Sequence, residues 1–135
     1  MFDVWESNSL KKGVGVFYGC SNLESFSSDL SSLTHGKDMF ADCSNLKSFT
    51  SNLSNLTDGH GMFSNCTQLT TFSSDSKGSP VNLSSLKKGD SMFWCCSNLK
   101  SFTSNLSNLT DGDGMFYNCS KLESFTSNLS SLHRG

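Results

Sequence analysis

Residues 39–61, MFADCSNLKSFTSNLSNLTDGHG, return almost unchanged at residues 92–114 as MFWCCSNLKSFTSNLSNLTDGDG. Between them the phrase restarts at Met62 as MFSNCTQLTTFSS, and looser copies flank the set. A catalytic domain rarely says one thing five times, whereas a stacked solenoid must.

Aligning the phenylalanines of this phrase gives Phe17, Phe40, Phe63, Phe93 and Phe116, in steps of 23, 23, 30 and 23 residues. The long step carries a seven-residue insertion near 76–82, SKGSPVN, read as an outward loop because Pro80 cannot donate to a ladder and Gly78 and Ser79 favour a turn. Other columns keep the same frame. Cysteine recurs as Cys20, Cys43, Cys66, Cys96 and Cys119, and leucine as Leu23, Leu46, Leu69, Leu99 and Leu122. A second phenylalanine recurs as Phe26, Phe49, Phe72, Phe102 and Phe125, and a glycine as Gly13, Gly36, Gly59, Gly89, Gly112 and Gly135.

A unit of 23 residues cannot enclose its own core, so each coil must bury its apolar edge against the next. Segments such as LKSFTS read as short strands with Phe inward, stacking as a parallel sheet with one strand per coil. GMFYNCSKL, with apolar spacings of three and four, reads as a helical turn or short arc. The glycine column marks a bend that needs either positive φ or close backbone approach.

Composition narrows the function. Only 16% of residues are charged and the net charge is -2, so no basic surplus exists to grip nucleic acid. No apolar run approaches a membrane span. The start, MFDVWESNSLKKG, has neither a basic nor an apolar signal region, so the chain reads as mature, as a segment, or as made outside the secretory route.

The frame resembles a leucine-rich repeat, and most closely its BspA-like branch, whose repeat runs Leu-x-x-Ile-x-Ile-Pro … Ile-Gly-x-x-Ala-Phe-x-x-Cys-x-x-Leu. LKSFTSNLSNLTDGHGMFSNCTQL (46–69) follows that order, with Gly59, Phe63, Cys66 and Leu69 in place. The second strand isoleucine is serine here, at Ser28, Ser51, Ser74, Ser104 and Ser127, and such inward serines need partners in neighbouring serines or backbone. The resemblance implies a right-handed, leucine-rich-repeat-like solenoid of five 23-residue repeats over residues 14–135, with a parallel sheet on one face and short helical turns or arcs on the other. Residues 1–13 then form an N-terminal cap or docking segment. It also implies surface proteins of bacteria, protists or phage that bind host or matrix components, placing the chain at a cell surface, outside the cell or on a virion.

Several groups invite chemistry. The column cysteines lack zinc spacings and read as a buried thiol ladder, with Cys95 off the column. TDGHG and TDGDG offer Asp58, Asp111 and Asp113, but the equivalent turns, THGKD, KKGDS and KKGVG, build no calcium ladder. His35, His60 and His133 lie in or near turns and suit no catalytic triad. The eight Asn-x-Ser/Thr triplets, Asn52, Asn55, Asn105 and Asn108 among them, read as polar turn residues. No cofactor, metal site or enzyme activity is expected.

Three candidate surfaces remain. Ser25, Ser27, Ser48, Thr50, Thr71, Ser73, Ser101, Thr103, Ser124 and Thr126 flank the inward phenylalanines. They would form a two-column hydroxyl array, rows about 4.8 Å and columns about 7 Å apart. Tyr18, Trp94 and Tyr117 share the column after the phenylalanine, a candidate interaction patch. Phe2, Val4 and Trp5 offer a docking face for the open coil around Phe125. These readings support a non-enzymatic adhesion or interaction module for protein or glycan surfaces, with ends able to self-associate. A head-to-tail filament subunit is the alternative, and ice binding through the hydroxyl array a lesser one.

Overall fold

The computed structural model describes residues 7–135. Its strands are the short segments expected around the second phenylalanine column: β1 (Ser25–Phe26), β2 (Ser48–Thr50), β3 (Thr71–Ser73), β4 (Ser101–Phe102) and β5 (Ser124–Phe125). β1, β2 and β3 pair in parallel, with Phe26 opposite Phe49 and Phe49 opposite Phe72. β4 and β5 pair the same way, Phe102 opposite Phe125. Partners are equivalent residues of successive repeats, so the chain winds as stacked coils, coil 1 to coil 5, each numbered by its strand. A second rail of parallel bridges links Lys12, His35, Asp58, Lys88, Asp111 and Arg134.

Opposite the strands, each coil is an arc of consecutive turns. Among the described residues the sole helix is the 3-10 turn Ser7–Ser9. In coil 2 the amides of Met39, Ala41, Cys43 and Leu46 bond back to the carbonyls of Gly36, Asp38, Phe40 and Cys43 at 3.0–3.2 Å. The alternate amides, of Gly36, Asp38, Phe40 and Asp42, reach forward to Asp58, His60, Met62 and Ser64 in coil 3 at 2.8–3.0 Å. Half of the arc's donors thus close turns and half stitch coils, which satisfies the buried backbone without a helix.

Turns of this kind need a left-handed residue, and the arc places it away from the glycine column. It falls at Asp38 and Asp42 in coil 2, at Gly61 and Asn65 in the next arc, and at Ser91 and Cys95 after that, all with φ near 60°. The column glycines serve close approach instead. A Cβ on Gly13 would lie 2.8 Å from Sδ of Met39, and one on Gly36 3.0 Å from Sδ of Met62. Each methionine fills the space that the glycine of the preceding coil leaves open.

The core holds two phenylalanine ladders. Phe17, Phe40, Phe63, Phe93 and Phe116 stack at 5.3–5.5 Å between centroids. Phe26, Phe49, Phe72, Phe102 and Phe125 stack at 5.5–6.1 Å. The ladders meet edge to face, for example Phe49 on Phe63 at 4.9 Å, the geometry that the ring quadrupole favours. The expected burial of the whole second column needs correction. Phe26, Phe49 and Phe102 are buried, but Phe72 is half-buried and Phe125 is 42% exposed. Phe125 lacks a following coil among the described residues, and Phe72 borders a break in the sheet.

That break follows from the insertion. The chain leaves the coil after Ser73 and returns at Val81, which is 1% exposed and takes the ladder place of Ser51 and Ser104. The excursion is therefore residues 74–80, two residues earlier than the sequence frame suggested. Asp75 organises it by accepting the amides of Lys77 and Ser79 at 2.9 and 3.1 Å. Hydrogen bonds from Ser79, side chain and backbone, hold the Asp75 carboxyl below its ordinary range. Two of the ladder serines find the backbone partners expected of them, whereas Ser28 is exposed and Ser74 leaves with the loop, so neither is the inward residue expected. Ser51 Oγ accepts the Leu30 amide at 3.2 Å, and Ser127 Oγ accepts the Leu106 amide at 3.1 Å.

Candidate interaction surface

The column thiols are structural donors. Cys43, Cys66, Cys96 and Cys119 donate Sγ–H to the carbonyls of Phe17, Phe40, Phe63 and Phe93 in the preceding coil, each at 3.1 Å. Burial raises the thiols of Cys43 and Cys119 to about 11 and pushes those of Cys66 and Cys96 higher still. A thiol held protonated is a poor nucleophile, so these four suit packing and donation better than thiolate chemistry. The expected burial of the ladder holds for Cys43, Cys66 and Cys96, whereas Cys20 and Cys119, in the first and last coils, are half-buried. Cys95, off the column, is half-buried and accepts a long hydrogen bond from Asn118 Nδ2 at 3.7 Å.

The hydroxyl array is incomplete. Ser25, Ser48 and Thr71 align in one row across β1–β3, and Ser101 aligns with Ser124 in β4–β5. Ser27, Thr103 and Thr126 are exposed and Thr50 is half-buried, but Ser73 is 3% exposed and donates to the Asp75 carbonyl at 2.9 Å. Ser73 is therefore not part of a surface array, contrary to expectation, since it is buried and bonded to the departing loop. The array also stops between β3 and β4, which do not pair.

Asparagines divide by position. Asn55 and Asn108 donate Nδ2 to the carbonyls of Ser31 and Ser84 one coil back, while Asn105 and Asn128 accept amides two residues ahead. Asn52 Oδ1 accepts the Asn82 amide. The acidic turns are likewise engaged locally, with Asp58 Oδ1 accepting the His60 amide. Among the described residues, no three His, Cys, Asp or Glu side chains gather as a metal cluster.

The aromatic column divides too. Trp94 and Tyr117, in successive coils, stack with centroids 4.2 Å apart at 24°. Tyr117 is 56% exposed, so the pair presents a rigid apolar step at the surface. Gly114 makes room for it: a Cβ there would sit 3.1 Å from Cζ3 of Trp94, and its φ of 63° also favours glycine. Tyr18 stands three coils away and does not join the patch. It bonds instead to Asp42, whose carboxylate raises the phenol. Sequence reasoning passed over Gly114, which borders the stacked pair, and Asp90, whose carboxylate accepts the amide of Asp113 just before it. Their signal was available in the columns: Val14, Lys37 and His60 give way to Asp90 and Asp113 in the two coils that carry Trp94 and Tyr117.

The last coil exposes an apolar cavity of about 250 Å³, bordered by Leu109, Met115, Phe116, Phe125, Leu129 and Leu132. The proposed complement, Phe2, Val4 and Trp5, lies outside the described residues.

Parallel strands in register, one per coil and joined by turn arcs, define a repeat solenoid. The family model for the BspA type leucine rich repeat region matches residues 13–134 in six copies, and the chain belongs to that family. Repeats of this type are protein-interaction modules, typically of surface proteins. Six copies equal the rungs of the bridge rail, against five of each phenylalanine ladder. No curated protein matches the chain, and no solved structure does. No described helix is long and apolar enough to cross a membrane.

Proposed function

We propose that this chain is a non-enzymatic adhesion module, a right-handed five-coil solenoid with a cap or docking segment at residues 1–13. It binds protein or glycan at a cell or particle surface. The observation that supports this is the stacked Trp94–Tyr117 pair. Nearly every other apolar column is spent on holding coils together, whereas this pair, among the described residues, places two stacked rings at the surface. Rigid, exposed aromatics are the side chains that anchor interfaces. The test uses beads coated with the chain on a cultured cell layer. Binding removed by trypsin treatment of the layer identifies a protein receptor, and binding removed by periodate a glycan. Beads that never adhere above an albumin control would end the adhesion reading.

A second reading, end-to-end assembly into a filament, draws on the open cavity beside Phe125 and Leu129, 42% and 38% exposed. Two features weigh against in-register stacking. It would set Glu123 over the next copy's Glu24 at strand spacing, where like charges repel, and it would bring that copy's Lys12 into the rung that Arg134 already fills. Association therefore strengthens with added salt if it occurs at all. A monomer by light scattering at millimolar chain in high salt would remove this reading.

A further inference from the structure

We infer that the Trp94–Tyr117 step, with Asp90 and Asp113 beside it, is a site for a cationic side chain of a partner protein, an arginine or lysine in an exposed segment. This inference rests on the reading of the chain as an interaction module. Four observations converge on it. The rings are stacked and Tyr117 is exposed, so π surface is available to a partner without reorganisation. The acidic pair occupies the same two coils, one column across the arc, and the Asp113 amide donates to Asp90 Oδ1 at 3.2 Å. The aromatic and acidic columns meet, because Trp94 Cε3 lies 3.2 Å from the point where a Cβ of Gly114 would stand, and Gly114 directly follows Asp113. Finally, the basic residue nearest along the chain, Lys88, stands in a different column, the bridge rail, between Asp58 and Asp111.

Two carboxylates one coil apart repel each other, about 5 Å apart at strand spacing. A cation between them relieves that repulsion. A guanidinium can do so while lying flat on an aromatic face, an arrangement that ring quadrupoles favour within about 6 Å. Tyr18 supplies the internal comparison. It is as exposed as Tyr117, but among the described residues no ring stacks on it, and it is tied to Asp42.

The test titrates the 15N-labelled chain with the peptide (Arg-Gly-Ser)4, and in parallel with (Gln-Gly-Ser)4 and (Glu-Gly-Ser)4. The arginine peptide should shift the Trp94 indole N–H and the amides of Asp90, Asp113, Gly114 and Tyr117, and the other two peptides should not. Affinity should fall at least fivefold in Tyr117→Ala and about threefold in Asp90→Asn/Asp113→Asn. It should be unchanged in Tyr18→Ala, and each variant's melting is checked first. Equal binding by the glutamine peptide, shifts spread over all acidic residues, or full affinity in Tyr117→Ala would overturn the site. If coated beads adhere to cells but the arginine peptide does not bind, the cation site fails and the adhesion reading stands. If the peptide binds as described but beads do not adhere, the reverse holds.

Discussion

The arc side and the strand side of this solenoid meet the same insertion and answer it differently. On the arc side coil 3 joins coil 4 as if nothing had been inserted. The amides of Gly59, Gly61, Phe63 and Asn65 reach Lys88, Asp90, Met92 and Trp94 at 2.7–2.9 Å, and Phe63 stacks on Phe93 at 5.5 Å. On the strand side the junction opens. In coils 2, 3 and 5 two successive amides converge on one carbonyl of the coil before, as Lys47 and Ser48 do on Glu24. Lys100 and Ser101, their equivalents in coil 4, make no such bond to Thr70, and the Phe72–Phe102 stack widens to 6.1 Å. The cause is local: seven residues leave from the end of β3, and Ser73 is drawn inward with them. Strands of two or three residues have few bonds with which to resist, whereas each arc stitches with four. Coil stacking is therefore carried mainly by the arcs.

That ranking can be broken by mutation. Phe63→Ala, in the arc ladder and fully buried, should cost about 3–5 kcal/mol in urea unfolding. Phe72→Ala, half-buried at the open junction, should cost clearly less. Equal costs would mean that the strand side is as tightly packed as the arc side.

Deletion of residues 74–80 sharpens the same contrast. It joins Ser73 to Val81, restores the 23-residue step and lets Lys100, Ser101 and Thr103 bond to coil 3. At a net contribution of about 1 kcal/mol per hydrogen bond, the deletion should stabilise by about 1–3 kcal/mol. Amide exchange gives a direct reading. In the parent chain those three amides should exchange faster than Lys47, Ser48 and Thr50, and in the deletion variant they should match them. A deletion variant that does not fold would show the loop to be part of the core.

Thiol donors belong to the arc, and pH addresses them. The folded-state values of Cys43 and Cys119 are raised to about 11 from an ordinary value of 9.0, and burial raises Cys66 and Cys96 further. Above pH 9 an unfolded chain loses thiol protons that the folded chain keeps, so deprotonation favours unfolding. Stability is thus fully present below pH 9 and declines as pH rises toward 11, read as a falling melting temperature. Cys66→Ala should flatten that decline while costing about 1–2 kcal/mol at neutral pH. An unchanged slope would show that the Cys66 thiol does not contribute to the decline.

The smallest effect belongs to the aromatic step. Tyr117→Ala should change stability by about 1 kcal/mol or less, because the ring is 56% exposed and its contribution is chiefly one stacking contact. A larger loss would make the pair a packing element of the coil-4 to coil-5 junction.

Much of this was legible in the repeated phrase itself. The 23-residue period, the Phe, Leu and Cys columns, the parallel strands and the place of the insertion to within two residues all follow from identical side chains returning in phase. Apolar burial acts through residue type, and residue type is what a sequence displays. The tertiary structure alone decided where the backbone turns left-handed. Gly15, Asp38, Gly61, Ser91 and Gly114 share that role, and so different a set leaves no column to read. It alone gave the column thiols their carbonyl partners, half-exposed Phe72, and set Trp94 on Tyr117 over Gly114 while leaving Tyr18 to Asp42. These outcomes depend on which coil lies beneath a residue and how far its neighbours have shifted. Such distances exist only once the coils are stacked.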